Sequence, residues 1–242
     1  MIIKIIAIIK DQLITDLKFN LVILFLSMAL IWSCGSNVPQ KIDLSGEWRF
    51  ATDPSDIGVE GKWFSQPLPE VIHLPGSMAS NGKGKDVDLH TPWTGQIVDS
   101  SFFLKPEYAR FREPGHFKVP FWLQPVKHYR GAAWYQKEIV LPTGWEGQNI
   151  MLFLERCHWE SQLWVNGEGA GIRNSLGTPH IYELTGMLKP GKNTLTLCVD
   201  NRIRNIDPGI NSHSISDHTQ SNWNGIVGRI YLETRPLVHI GQ

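Results

Sequence analysis

The sequence has no net charge, no long segment with helical periodicity and no internal repeats. Its 23 basic and 23 acidic side chains cancel, which gives no reason to expect nucleic acid or an acidic polymer as a partner. No segment shows a long, capped 3.6-residue period, so helices should be few and short. The chain has instead 22 glycines, ten tryptophans and 42% hydrophobic residues. This composition favours a packed all-β protein over a disordered chain.

The N-terminus is typical of a targeting segment. Residues 20–32 form an apolar run that is short for a membrane span, with lysines before it and Ser33-Cys34-Gly35 after it. This junction resembles the bacterial lipobox, in which the cysteine becomes the lipidated first residue. We therefore expect a lipoprotein signal peptide over 1–34, lipidation of Cys34, a polar tether over 35–43, and export to the periplasm or cell envelope. An uncleaved membrane anchor and ordinary signal cleavage are the alternatives.

The two other cysteines, Cys157 and Cys198, lie inside apolar strand-like runs. Buried cysteines mostly behave as small hydrophobic residues. Export would permit a disulfide, but the spacing does not decide whether these two pair.

From residue 44 onward, short alternating runs are separated by turn signals, a pattern that predicts β-strands. Asn166-Gly167 follows one such run and is a strong two-residue hairpin signal. In residues 194–200, Leu195, Leu197 and Val199 share one face. The predicted strands cover 48–50, 71–74, 133–141, 149–155, 162–165, 180–184, 194–200, 226–232 and 237–240.

Residues 76–131 interrupt this pattern with a long polar stretch that contains Pro, Gly and scattered aromatic residues. Loops of this length in a compact domain are functional or disordered, and the aromatic content argues against disorder. We predict an ordered loop insertion packed on one end of the sandwich.

Five motifs in order resemble the N-terminal sugar-binding domain of family 2 glycoside hydrolases. They are LSGEWRF at 44–50, AWYQKE at 133–138, the run over 153–167 that ends in LWVNG, the stretch over 182–201 that contains LKPGKN, and NWNGIVGRI at 222–230. The family includes β-galactosidases, β-glucuronidases and β-mannosidases. The resemblance implies a jelly-roll, galactose-binding-like β-sandwich over 44–242 that binds a galactoside-, glucuronide- or mannoside-like glycan.

The family's two catalytic glutamates lie in a separate barrel domain, and the sequence stops at Gln242. The resemblance therefore implies substrate recognition, with no catalytic residue expected in this chain. Two alternatives stay open: the chain is a truncated product of a longer enzyme, or one piece of a split enzyme whose catalytic portion is a separate polypeptide.

The polar loop over 202–224 carries the mixture of planar hydrogen-bonding groups and aromatic rings that sugar recognition uses. The family resemblance implies that the corresponding loop reaches toward the active site. We carry this role over to Asp217, His218, Gln220 and Asn222, directly before the last motif. The alternative is that the loop only braces the sandwich.

Trp93, beside Asp86, Asp88 and His90 in the long loop, is a further candidate for stacking on a sugar or for plugging the loop onto the domain. Adjacent Ser216, Asp217 and His218 are poor evidence for a catalytic triad, because triads are assembled from separate elements. The spacing of the histidines matches no standard zinc pattern, so we predict neither a metal nor a cofactor.

Three hypotheses follow. The first is the non-catalytic sugar-binding domain of a family 2 glycosidase. The others are a free-standing lectin-like module and an interaction domain without a sugar role. Sugar binding by the isolated chain would favour the lectin-like module over the non-catalytic glycosidase domain. If substitution of Asp217 and Asn222 left the function of the protein unchanged, the interaction domain would be favoured.

Overall fold

The computed structural model describes residues 40–204, 207, 209–213, 215–218 and 221–235. These residues form antiparallel strands joined by turns and a few short helices, as the sequence predicts. The strands are β1 (Lys41–Asp43), β2 (Gly46–Asp53), β3 (Glu70–Leu74), β4 (Gly76–Ser77), β5 (Ala132–Leu141), β6 (Asn149–Cys157), β7 (Glu160–Val165), β8 (Glu168–Asn174), β9 (His180–Glu183), β10 (Gly191–Asp200) and β11 (Gly225–Arg235). The helix α1 (Ser101–Leu104) is accompanied by 3-10 turns at Trp63–Ser65, Ala79–Asn81, Pro106–Phe111 and Thr143–Trp145.

The strands build two sheets. One has five strands, in the order β1-β11-β6-β9 with β4 also paired to β11, and the other has six, in the order β3-β2-β5-β10-β7-β8. Alternation along most strands gives each of the two sheets an apolar inner face. The predicted all-β sandwich is confirmed.

The main core lies between the two sheets. Trp48, Tyr135 and Leu197 of the six-stranded sheet pack there with Leu152 and Leu232 of the five-stranded sheet. Each of these side chains is at most 1% exposed. Their burial supplies the largest favourable term in the stability of such a domain.

A second, smaller core covers the outer face of the six-stranded sheet. Trp134 and Trp164 stack there with centroids 5.0 Å apart, and Phe64 stacks on Trp164 at the same distance. Residues 54–69, which include Phe64 and Leu68, cross the sheet above them. On this outer face both tryptophans pack against a connecting segment instead of the opposite sheet.

Asn166 and Gly167 form the predicted two-residue hairpin turn between β7 and β8, with φ of 52° and 86°. The sandwich begins earlier than expected, because residues 41–43 of the expected tether pair with β11 as strand β1. The predicted strand at 237–240 lies outside the described residues. Cys157 and Cys198 are both free thiols, and burial raises the pKa of Cys157 to about 12.

The long stretch between β4 and β5 packs around its own aromatic cluster. Phe102, Phe117, Val119 and Trp122 are at most 9% exposed, with Trp93 packed against them. The stretch therefore has a core of its own beside the sandwich. No helix among the described residues is long and apolar enough to cross a membrane.

Candidate functional site

The connection between β10 and β11, which carries most of the residues singled out from the sequence, is held by buried polar side chains. At its start, the amide of Asn201 donates to the carbonyl of Tyr129 at 2.7 Å and accepts from the backbone N–H of Gly131 at 2.8 Å. At its end, the amide of Asn224 accepts from the Tyr135 hydroxyl at 2.7 Å. Both asparagines are at most 1% exposed. These bonds fix both ends of the loop to the start of β5.

Asp217 joins this loop to the long stretch. Its carboxylate accepts one hydrogen bond from the backbone N–H of Thr94 and one from that of Asn222, each at 2.7 Å. Its own N–H donates to the Thr94 carbonyl at 2.7 Å. Asp217 is 1% exposed, so both of its oxygens are occupied inside the protein.

Asn222 completes the same network. Its amide donates to the Thr94 hydroxyl at 2.7 Å and to the Asn201 carbonyl at 3.1 Å. The side chain is buried, and its Oδ1 has no hydrogen-bond partner within the described residues. The hydrogen bonds of Asp217 and Asn222 hold the loop in place. This structural role is the alternative that the sequence leaves open beside direct sugar contact. Contact of these two side chains with sugar stays a prediction, and the closed network does not favour it.

His218 is half-buried and its Nδ1 lies 2.8 Å from the Ser216 hydroxyl. The Asp217 carboxylate bonds to backbone N–H groups elsewhere, so these three neighbours do not form an aspartate–histidine–serine relay. Gln220 and Cys34 lie outside the described residues. The described residues hold no group of three or more His, Cys, Asp or Glu side chains placed to share a metal ion.

Trp93 is half-buried against the aromatic cluster. Its ring meets Trp122 edge-on at 5.4 Å and His128 edge-on at 5.0 Å, and it stacks on Phe117 at 6.4 Å. All three partners belong to residues 76–131, so Trp93 packs within the long stretch. Stacking of Trp93 on a sugar stays a prediction.

A cleft of about 270 Å³ opens beside this network. Its inner wall includes His128, which is 4% exposed and whose Nε2 lies 3.6 Å from the Asp217 carboxylate. The Lys85 and His128 backbones bond to each other, each N–H donating to the other's carbonyl at 2.9 Å. The cleft is lined by Pro54, Lys85, Asp86, Asp88, His90, Thr91, Pro92, His128, Tyr129 and Arg130.

Some charged side chains of this cleft have ion-pair partners and others have none. Asp86 forms an ion pair with Lys127 at 2.6 Å, and the Asp88 carboxylate accepts the backbone N–H of His90 at 2.7 Å. Lys85 and Arg130 are exposed and form no ion pair with any described residue. Two cations are therefore free to meet an anionic group in the cleft.

Sequence reasoning singled out Asp86, Asp88 and His90 as neighbours of Trp93, and they do line the cleft. It missed His128 and Arg130, which lie just before β5. No pattern in the sequence marks these two, because the fold alone brings them to residues 85–92.

These features define the class of protein: a two-sheet β-sandwich whose long connections meet at a polar cleft. The family model described as "Glycosyl hydrolases family 2, sugar binding domain" matches residues 42–236. The chain therefore belongs to this family, as the five motifs predict.

Relatives and solved structures agree with this assignment. The chain is 27% identical over 161 residues to a β-glucuronidase of Paenibacillus borealis, covering 66% of this chain and 21% of the relative. It is 22% identical over 195 residues to the β-glucuronidase of Canis lupus familiaris, covering 72% and 25%. A solved β-glucuronidase of an uncultured Clostridium sp. superposes with a TM-score of 0.55 at 20% identity, covering 84% of this chain and 30% of that one. The chain thus spans between a fifth and a quarter of the length of these two curated relatives, and the structural likeness supports the fold alone.

Proposed function

We propose that this chain recognises the sugar for a family 2 glycosidase, and that a glucuronide-type sugar binds in the cleft beside residues 85–92, which is complete within this chain and binds the sugar without the catalytic portion. Membership of the sugar-binding domain family supports carbohydrate as the ligand. The names of the two relatives, both β-glucuronidases, favour a glucuronide over a galactoside or mannoside.

The observation that carries the choice of sugar is the pair of uncommitted cations at the cleft. Arg130 and Lys85 border it without ion-pair partners among the described residues, whereas the nearby Asp86 is paired with Lys127. A guanidinium group binds a carboxylate through two parallel hydrogen bonds, which suits the carboxylate of a uronic acid. His128 and Tyr129 supply ring surface in the same cleft.

The bracing network gives the cleft a fixed shape. Asp217 ties the loop before β11 to Thr94, next to the cleft residue Pro92. A binding site held in advance by buried hydrogen bonds loses less conformational entropy when its ligand binds. Asp217 and Asn222 then act by positioning the walls.

Hydrolysis of a glycosidic bond needs two carboxyl groups roughly 5–10 Å apart across the scissile bond. We propose that a catalytic portion outside residues 42–236, in the same or another polypeptide, supplies them.

The jelly-roll classification, export, and lipidation at Cys34 belong to the same proposal. A lipid-anchored chain would hold its sugar-binding cleft at the cell envelope, where glycans from outside first arrive.

Isothermal titration of the full chain in detergent, against methyl β-D-glucuronide, galactoside and mannoside, tests the proposal. We expect the glucuronide to bind best and Arg130→Ala to weaken it at least tenfold, the effect of about 1.4 kcal/mol. Lys118→Ala, an exposed lysine outside the cleft, is the matched control and should change affinity less than twofold. Equal affinity in the Arg130 variant, or no binding of any of the three sugars, would contradict the cleft assignment.

A further inference from the structure

A larger concavity lies on a different surface, the outer face of the six-stranded sheet. It has a volume of about 550 Å³. It is lined by Glu47, Trp48, Arg49, Phe64, Ser65, Gln66, Pro67, Gln136, Lys137, Glu138, Asn166 and Thr194. None of these residues belongs to the cleft at residues 85–92, so the two surfaces are separate. We call this surface the outer groove.

The outer groove exists because residues 54–69 cover only the middle of the sheet. Strand register places Arg49, Gln136, Thr196 and Trp164 in one row across four strands. The covering segment lies over this row, since Phe64 stacks on Trp164. The next row, which includes Glu138 opposite Thr194, is left open.

The wall of the groove is fixed by hydrogen bonds. The Gln136 amide accepts from the backbone N–H of Leu68 at 3.3 Å and donates to the carbonyl of Gln66 at 3.1 Å. It also donates to the Thr196 hydroxyl at 3.1 Å. Gln136 is 6% exposed, so the buried amide anchors the covering segment and sets the width of the opening.

Two carboxylates in the open row have no partner. Glu47 and Glu138 are exposed and make neither a hydrogen bond nor an ion pair through their side chains within the described residues. Each lies two residues along its strand from the Arg49–Gln136 pair. Glu47 and Glu138 are therefore on neighbouring strands and on the same face of the sheet. Like charges close together on a sheet are destabilising, and the single Lys137 ammonium, which donates to the carbonyls of Ser45 and Glu47, offsets only part of this charge through its attraction to the Glu47 carboxylate.

The amides of Gln66 and Asn166 are hydrogen-bonded, whereas other polar groups of the groove are free. The hydroxyls of Ser65 and Thr194 make no hydrogen bond within the described residues, and Arg49 uses one N–H group on the Leu68 carbonyl at 3.1 Å. Phe64 is half-buried and adds an apolar surface. The groove thus presents carboxylate and hydroxyl acceptors, a few donors and an aromatic ring, arranged along an open channel.

We propose that the outer groove is a second saccharide-binding site, and that it takes a neutral oligosaccharide. Carboxylates accept hydrogen bonds from pairs of neighbouring sugar hydroxyls, and these bonds are charge-assisted. An aromatic side chain suits the apolar C–H surface of a pyranose. The two unpaired carboxylates repel a uronic acid, so this site selects against the sugars that we propose for the cleft.

The test measures binding of cellotetraose, xylotetraose and mannotetraose to the full chain in detergent by isothermal titration. At least one of the three should bind. The double variant Glu47→Gln/Glu138→Gln keeps the shape of both side chains and removes the repulsion, so it should fold as stably as the parent. We expect it to bind the neutral oligosaccharide at least tenfold more weakly.

Glu168→Gln on the exposed strand β8 is the matched control, since Glu168 lies outside the groove, and it should change affinity less than twofold. Arg130→Ala should leave this binding unchanged, which separates the outer groove from the cleft. The proposal is overturned if none of the three oligosaccharides binds up to 10 mM, or if the double variant binds as tightly as the parent.

Discussion

Asp217 is a buried carboxylate whose hydrogen-bond partners include a residue far away in the sequence. The residue type and its place before the last family motif predict a sugar contact. In the structure, its two carboxylate oxygens accept hydrogen bonds from the backbone N–H groups of Thr94 and Asn222, at 2.7 Å each. Thr94 is 123 positions away in the chain, so no local pattern could reveal this bond. The sequence could identify Asp217 as important, but not whether it contacts sugar or positions the loop.

Replacing Asp217 should therefore cost stability. In Asp217→Asn the amide would oppose one of the two backbone donors, leaving a buried N–H group without an acceptor. We expect the free energy of unfolding to fall by about 2 kcal/mol, measured by urea denaturation. Asp207→Asn on the exposed part of the loop should change it by less than about 0.5 kcal/mol. Equal effects in the two variants would contradict the bracing role.

His158 should make stability depend on pH. Burial lowers the pKa of His158 to about 4, and its Nδ1 has no hydrogen-bond partner within the described residues. The unfolded chain therefore binds this proton first as the pH falls from about 6.5 to 4, and stability is lost across that window. A shift of this size is worth up to about 3 kcal/mol.

Urea denaturation of the parent and of His158→Gln at pH 7, 5.5 and 4.5 checks this expectation. The variant should lose less stability than the parent between pH 7 and 4.5, although His180, whose pKa burial also lowers, keeps part of the pH dependence in both. If the free energy of unfolding fell equally with pH in parent and variant, His158 would not have the lowered pKa that its burial predicts.

At the scale of elements, the alternation of apolar residues was enough to predict most strands. Residues 133–141 and 194–200 alternate, and both form paired strands of the six-stranded sheet. Alternation does not say what covers the other face of a sheet. Trp134 and Trp164 pack under residues 54–69, a cover that no pattern in the sequence marks.

The covering segment depends on one glycine. A Cβ atom at Gly58 would lie 2.5 Å from Trp134 Nε1 and 2.7 Å from the Asp53 carboxylate. That carboxylate accepts the backbone N–H of Gly58 at 2.8 Å and the Trp134 indole N–H at 3.1 Å. Neither the buried indole nor the carboxylate can move without breaking these bonds.

Gly58→Ala should therefore destabilise the domain by about 1–3 kcal/mol. Gly177→Ala is the matched control, because a Cβ there meets nothing within 4 Å, and it should leave stability within about 0.5 kcal/mol of the parent. Thermal unfolding followed by tryptophan fluorescence measures both. A Gly58 variant as stable as the control would show that the covering segment does not pack tightly against Trp134.

At the scale of the whole molecule, the proposed lipid anchor decides where the sandwich works. If Cys34 is lipidated, the parent should partition into the detergent phase of a Triton X-114 extraction and incorporate radiolabelled palmitate. Cys34→Ala should lose the palmitate label, whereas Cys198→Ala should keep it. Retained label in the Cys34 variant would contradict lipidation at this position.

Sugar recognition at the cleft is tested most directly by a crystal structure of the full chain with methyl β-D-glucuronide. The sugar should occupy the cleft between residues 85–92 and β5, with its carboxylate within about 3 Å of the Arg130 guanidinium, the distance of a charge-assisted hydrogen bond. Density for the sugar at another surface only, with the cleft empty at saturating ligand, would contradict the proposed recognition site.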